Sequence, residues 1–196
     1  MIMEKKHAII FGGIIALIIL SGAGYYIYTY HNPFTDYTEE VHVHADFGIV
    51  VNDKKVDLTL DKYQSTKSHI LHKHVHLHEN KGDVIHRHSD DITMDVFLKS
   101  IGFTLTDTCL TNDTGERFCT DDTHELVLFV NKKSVRNPAS YLTEEDDKIL
   151  LYYGSKNNPS LEEYFSGITN NSCLYSGTCP ERGIAPPESC GLTCEI

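Results

Sequence analysis

What the chain lacks narrows its chemistry first. It has no GxSxG elbow, no phosphate-binding P-loop and no Cys/His nucleophile pair, so the common hydrolase and nucleotide-transfer signatures are absent. Methionine is scarce, at positions 1, 3 and 94, which argues against a methionine-rich Cu(I) chaperone. Basic residues are in the minority, 17 Lys and Arg against 28 Asp and Glu, a net charge of −11. That balance repels nucleic acid, so none is expected as a partner, and it attracts cations. No CxxC pair occurs among the six cysteines. Cys109, Cys119, Cys173, Cys179, Cys190 and Cys194 therefore read as disulfide partners in an oxidising compartment.

Long apolar runs are also missing, with one exception. Residues 8–28, AIIFGGIIALIILSGAGYYIY, carry no charge and are long enough to span a bilayer as a helix. Lys5 and Lys6 mark the side before it as cytoplasmic, and Tyr25, Tyr26, Tyr28 and Tyr30 form an aromatic belt at the far interface. A cleavable signal peptide, with Ser21-Gly22-Ala23 as the cleavage site, is the competing reading. The expectation is a single-pass protein of the cell membrane with its C-terminal domain extracytoplasmic. Its divisions are residues 1–30 as start and anchor, 31–40 as linker, 41–154 as an α+β domain and 155–196 as a cysteine-rich tail.

Histidine is what the chain has in excess. Of its twelve, seven fall between residues 69 and 88, in HILHKHVHLHENKGDVIHRH. His72, His74, His76 and His78 occupy every second position, with Lys73, Val75 and Leu77 between them. Strand side chains alternate between faces, so this pattern predicts one imidazole face and one largely apolar face. His86 and His88 repeat the device after Glu79-Asn80-Lys81-Gly82-Asp83, which is turn chemistry. A three-residue loop with Gly82 in its left-handed position sets His78 opposite His86 and His76 opposite His88. A two-residue loop shifts the register by one and sets His76 opposite Arg87. Residues 41–51 predict a third such strand, with His42, His44 and Asp46 on one face.

Neutral imidazole is the commonest metal ligand and suits Zn and Cu. The candidate ligands are His76, His78, His86 and His88, with His72, His74, His42 and His44 as further ligands or second sites. The expected cofactor is a divalent Zn or Cu ion, for capture, buffering or a structural role. Two alternatives accompany it. His72, His74 and Glu79 fit the HxH-x4-E of a cupin's first motif, although its second motif is absent. A non-metal interaction module with a pH-sensing histidine patch is the other, since stacked imidazoles repel when protonated. HVHAD at residues 42–46 resembles the HxH of metal-dependent amidohydrolases, but the chain is short for their barrel.

Elsewhere, residues 90–102 predict a helix with Thr93 as N-cap and Gly102 as its stop. Cys109 and Cys119 bracket a polar loop and are expected to pair, at about 2–3 kcal/mol. Asn112-Asp113-Thr114 and Asn170-Asn171-Ser172 are glycosylation acceptor patterns. GIVVNDKKV at 48–56 echoes VLFVNKKSV at 127–135, read as two independent hairpins turning at Asn. Residues 144–147 read as a solvated turn. Ser160-Leu161-Glu162-Glu163 is a capping box opening a short helix, and the remaining tail is expected to lack a core of its own.

The order of helix, loop, VLFVNKKSV and YLTEEDDKILLYYG resembles the second half of a β-grasp domain. The cobalamin-carrier-like β-grasp modules of surface proteins show a similar pattern of a VNGK turn followed by GD and YY. Here Asn131-Lys132-Lys133 and Glu145-Asp146-Asp147 stand where that pattern has glycines. The resemblance implies a mixed sheet with the histidine hairpin inserted before the helix. It implies no carrier chemistry, because the chain continues past Gly154 instead of ending in Gly-Gly. The domain also resembles singly anchored, histidine-rich extracytoplasmic proteins, a resemblance that supplies no activity.

Overall fold

The computed structural model describes residues 41–185. The central sheet runs β3-β4-β1-β10-β8-β9. Its strands are β1 (Val43–Val51), β2 (Lys54–Lys55), β3 (Val75–His76), β4 (Val84–Arg87), β8 (His124–Val130), β9 (Lys133–Val135) and β10 (Lys148–Ser155), with β2 paired to β1. Between them, β5 (Thr104–Leu105), β6 (Cys109–Thr111) and β7 (Arg117–Cys119) make a second, three-stranded sheet. β1 lies at the centre, parallel to β10 and antiparallel to β4. Its residues from His44 to Val50 are all buried, because both faces of the strand are covered.

Two tight hairpins frame this centre, and both turn at asparagine. Asn52 and Asp53 have φ of 49° and 64°, Asn131 and Lys132 of 51° and 67°. Two consecutive left-handed residues joining adjacent strands make the turn whose twist matches the sheet. The two similar stretches thus form separate hairpins, one at each side of β10. Helix α1 (Met94–Ser100) starts after Thr93 and stops at Gly102, whose φ is 87°. It buries Met94, Phe97 and Leu98, and Phe97 meets Phe47 of β1 edge-to-face at 5.3 Å. The other face of the sheet is covered by the tail. Helix α2 (Leu161–Ser166) and Ile168 pack on Val50, Leu150 and Tyr152. A third helix, α3 (Ser172–Tyr175), lies against β1.

Two expectations need correction here. The α+β class gives way to a sheet-dominated domain, 16% helical among the described residues, because turns, loops and paired strands take most of them. Among the described residues no helix is long and apolar enough to cross a membrane. The expected span at 8–28, its signal-peptide alternative and the linker lie outside the described residues, as do Cys190 and Cys194. The single-pass cell-membrane location therefore has no helix among the described residues to rest on. What the structure supplies on compartment is its disulfides, Cys109–Cys119 and Cys173–Cys179, which point to oxidising, extracellular surroundings.

Among the described residues the tail has no core of its own, as expected, and residues 155–185 pack onto the central one, anchored at Asp46. This fully buried carboxylate accepts from Thr169 Oγ1 at 2.5 Å, Asn171 N at 2.7 Å and Ser172 Oγ at 2.6 Å. The capping box at Ser160 does not form. Ser160 makes no side-chain cap, and its N–H donates to Asn158 Oδ1 instead.

Candidate metal centre

Three strands deliver His44, His76 and His86 to one layer, and the other histidines of the layer flank the strand ends. His44 of β1 pairs with His86 of β4, and His86 pairs with His76 of β3. One row of the sheet is therefore imidazole three strands deep. The next row begins with the His88 N–H donating to His74 O at 2.8 Å, and the His88 ring lies 4.5 Å from that of His42. On the opposite face stand Val75, Leu77, Ile85, Ala45 and Phe47, all buried. Period-two alternation places them there.

The hairpin register differs from both sequence alternatives. His76, not His78, faces His86, because residues 79–83 form a longer connection. Glu79 and Asn80 take its left-handed positions, with φ of 59° and 55°. Gly82 serves another purpose, since a Cβ there would lie 2.6 Å from the Leu58 carbonyl carbon. The slip is by an even step, so the histidines stay on one face.

The layer is buried rather than solvent-facing. His44, His74, His76, His78, His86 and His88 are each at most 5% exposed, His72 is half-buried and His42 is exposed. What covers it is the tail. The Tyr175 ring lies edge-on to His86 at 4.7 Å, 5.6 Å from His44 and 6.2 Å from His78, and its hydroxyl reaches Glu79 Oε2 at 3.4 Å. The Cys173–Cys179 bridge spans this stretch. Burial, then the neighbouring imidazoles of His88, His86 and His78, push His76 well below the usual histidine range. His72 is lowered by burial and by His74. Both effects favour the neutral, lone-pair-bearing ring.

Within this layer His42, His44 and His86 each offer a ring nitrogen within 4.8 Å of the others. Nitrogens bound to one ion at about 2.0–2.1 Å sit about 3.4 Å apart, so modest ring rotations bring these three together. The structure thus holds a histidine cluster able to bind a metal. Of the residues favoured from sequence, it brings His86 into the cluster with His42 and His44. His76, His78 and His88 lie around it, with rings 6.0 Å and 3.9 Å from His86 for His76 and His78, and 4.5 Å from His42 for His88. His72 and His74 stand further along, 6.3 Å apart. Among the described residues the cupin triplet His72, His74 and Glu79 is not a group whose ligand atoms reach one another; Glu79 lies near His78 and Tyr175.

The turn at 144–147 is solvated at Glu144 and Glu145, as expected, but not at Asp147. Asp147 is buried and accepts from Tyr141 Oη at 2.6 Å, Asn131 Nδ2 at 2.8 Å and the Glu144 N–H at 2.8 Å. Asp146 accepts from Ser172 and Thr178. Glu145 reaches His44. Burial pushes its carboxyl up, but hydrogen bonds from His44 and Ser176 prevail and hold it below the usual range. An acidic run carries no local sign of such partners. Tyr175 was equally hidden, more than a hundred residues from His44 in sequence.

No protein-family model, curated protein or solved structure matches this chain.

Proposed function

We propose that the protein captures a divalent transition-metal ion, Zn or Cu(II), at His42, His44 and His86. The observation that supports this is the mutual reach of their three ring nitrogens. His42 is exposed, whereas His44 and His86 are buried. Such a set holds an ion by three protein nitrogens and leaves a coordination position for water or for exchange. His76, His78 and His88 extend the imidazole layer, ready as further ligands. The surplus of acidic residues raises the local concentration of cations. Binding and release, rather than turnover, fit a site roofed by Tyr175.

Metal content of the full chain, purified without an affinity tag or chelator, tests this. Mass spectrometry is expected to find about one equivalent of Zn or Cu per chain. Changing His42, His44 and His86 together to Ala abolishes it in a protein whose circular dichroism is unchanged. Failure of the parent to take up Zn, Cu or Ni at neutral pH would sink the reading. Loss on changing His76, His78 and His88 instead would move the ligand set to the hairpin.

A further inference from the structure

The cluster has a carboxylate beside it that the ligand set does not include. Glu145 Oε1 lies 3.4 Å from His44 Nδ1 and accepts the His44 backbone N–H at 3.2 Å. The Ser176 hydroxyl donates to the same oxygen and stands 3.3 Å from the same ring nitrogen. Glu145 is outside the group whose ligand atoms reach one another, so it touches a candidate ligand without being one. Its side chain is 39% exposed against 4% for His44, so the pair spans the boundary between solvent and buried layer.

A neutral imidazole carries one proton, and the nitrogen facing an acceptor-only carboxylate is the one that keeps it. With Nδ1–H directed at Glu145, the lone pair sits on Nε2, on the far side of the ring. A carboxylate partner of this kind fixes ring orientation and raises ligand basicity, and its loss typically costs 10–100-fold in metal affinity. We propose that Glu145 is the positioning residue of the site, holding His44 in its Nδ1–H form so that Nε2 is the nitrogen offered to the metal. The affinity half rests on the metal reading above, whereas the tautomer half does not.

Two measurements on the full chain separate them. Nitrogen-15 NMR of histidine-labelled, metal-free protein reads the His44 tautomer directly. Competition for Zn with a chromophoric chelator reads affinity. The parent is expected to show the Nδ1–H pattern at His44, and Glu145→Gln to lose it. Zn affinity in that variant falls about 10–100-fold in a protein whose circular dichroism is unchanged, and Glu145→Asp recovers part of it. An Nε2–H tautomer in the parent overturns the proposal whether or not any variant folds. So does a Glu145→Gln protein with unchanged tautomer and Zn affinity. A parent that shows the Nδ1–H pattern but takes up no Zn upholds the orienting contact and overturns the metal reading.

Discussion

At the scale of single residues, the molecule turns on polar side chains that are buried with a task. Asp46 is the clearest. It belongs to the same strand face as His42 and His44, yet it is no part of the histidine cluster. Its oxygens take hydrogen bonds from Thr169, Asn171 and Ser172, fixing the segment that carries Tyr175. A buried carboxylate is costly unless its lone pairs are satisfied, and these donors satisfy them. Hydrogen bonds to a charged acceptor contribute about 1.5–3 kcal/mol each, and a donor left buried and unpaired costs a similar amount. Asp46→Asn keeps the shape but turns an NH2 toward donors. It is expected to lower unfolding free energy by about 2–3 kcal/mol in urea denaturation and to expose Tyr175 to solvent quenching. An unchanged urea midpoint would show that the tail is held without it.

At the scale of elements, the histidine hairpin shows what a pattern can and cannot announce. Alternation settled which face the rings of His76 and His86 take, because strand geometry has no freedom there. The strands are shorter than the pattern, however, at Val75–His76 and Val84–Arg87, and His72, His74, His78 and His88 lie beyond their ends. Register was not legible, because it depends on loop length and on Leu58, which packs against the loop from a distant part of the chain. The asparagine turns at 52 and 131 were readable from local chemistry alone, as was the Cys109–Cys119 pair, which sits cross-strand between β6 and β7. The roles of Glu145, Asp147 and Tyr175 were not, since their partners come from other elements. Gly82 is where this distinction can be measured. A methyl group there meets Leu58 backbone at 2.6 Å, and backbone cannot swing away as a side-chain tip does. Gly82→Ala is expected to cost about 1–3 kcal/mol and to move β3 relative to β4, altering the NMR shifts of His76 and His78. If stability and shifts both stay at parent values, the close approach does not set the register.

At the scale of the whole molecule, one sheet serves two layers of different character. Its apolar face, with α1, supplies an ordinary hydrophobic core. Its other face places imidazoles from three strands under a disulfide-bridged tail, so the cluster exists only when distant segments are folded together. The unfolded chain keeps its histidines but not their arrangement, so an ion bound at the cluster favours the native state by mass action. Free metal at about 100 times its dissociation constant adds about 2.7 kcal/mol to stability by that relation. The melting temperature of the full chain should therefore climb with Zn or Cu(II) concentration and return to its starting value on chelation. The protein with His42, His44 and His86 changed to Ala should show no such climb, although its other histidines remain. Mg, which prefers oxygen ligands, should leave both proteins unmoved. Equal stabilisation of parent and variant by Zn would assign binding to scattered surface groups. A melting temperature that falls with added metal would mean the unfolded histidines bind better than the folded cluster, and the sheet would then be arranging its imidazoles for something other than an ion.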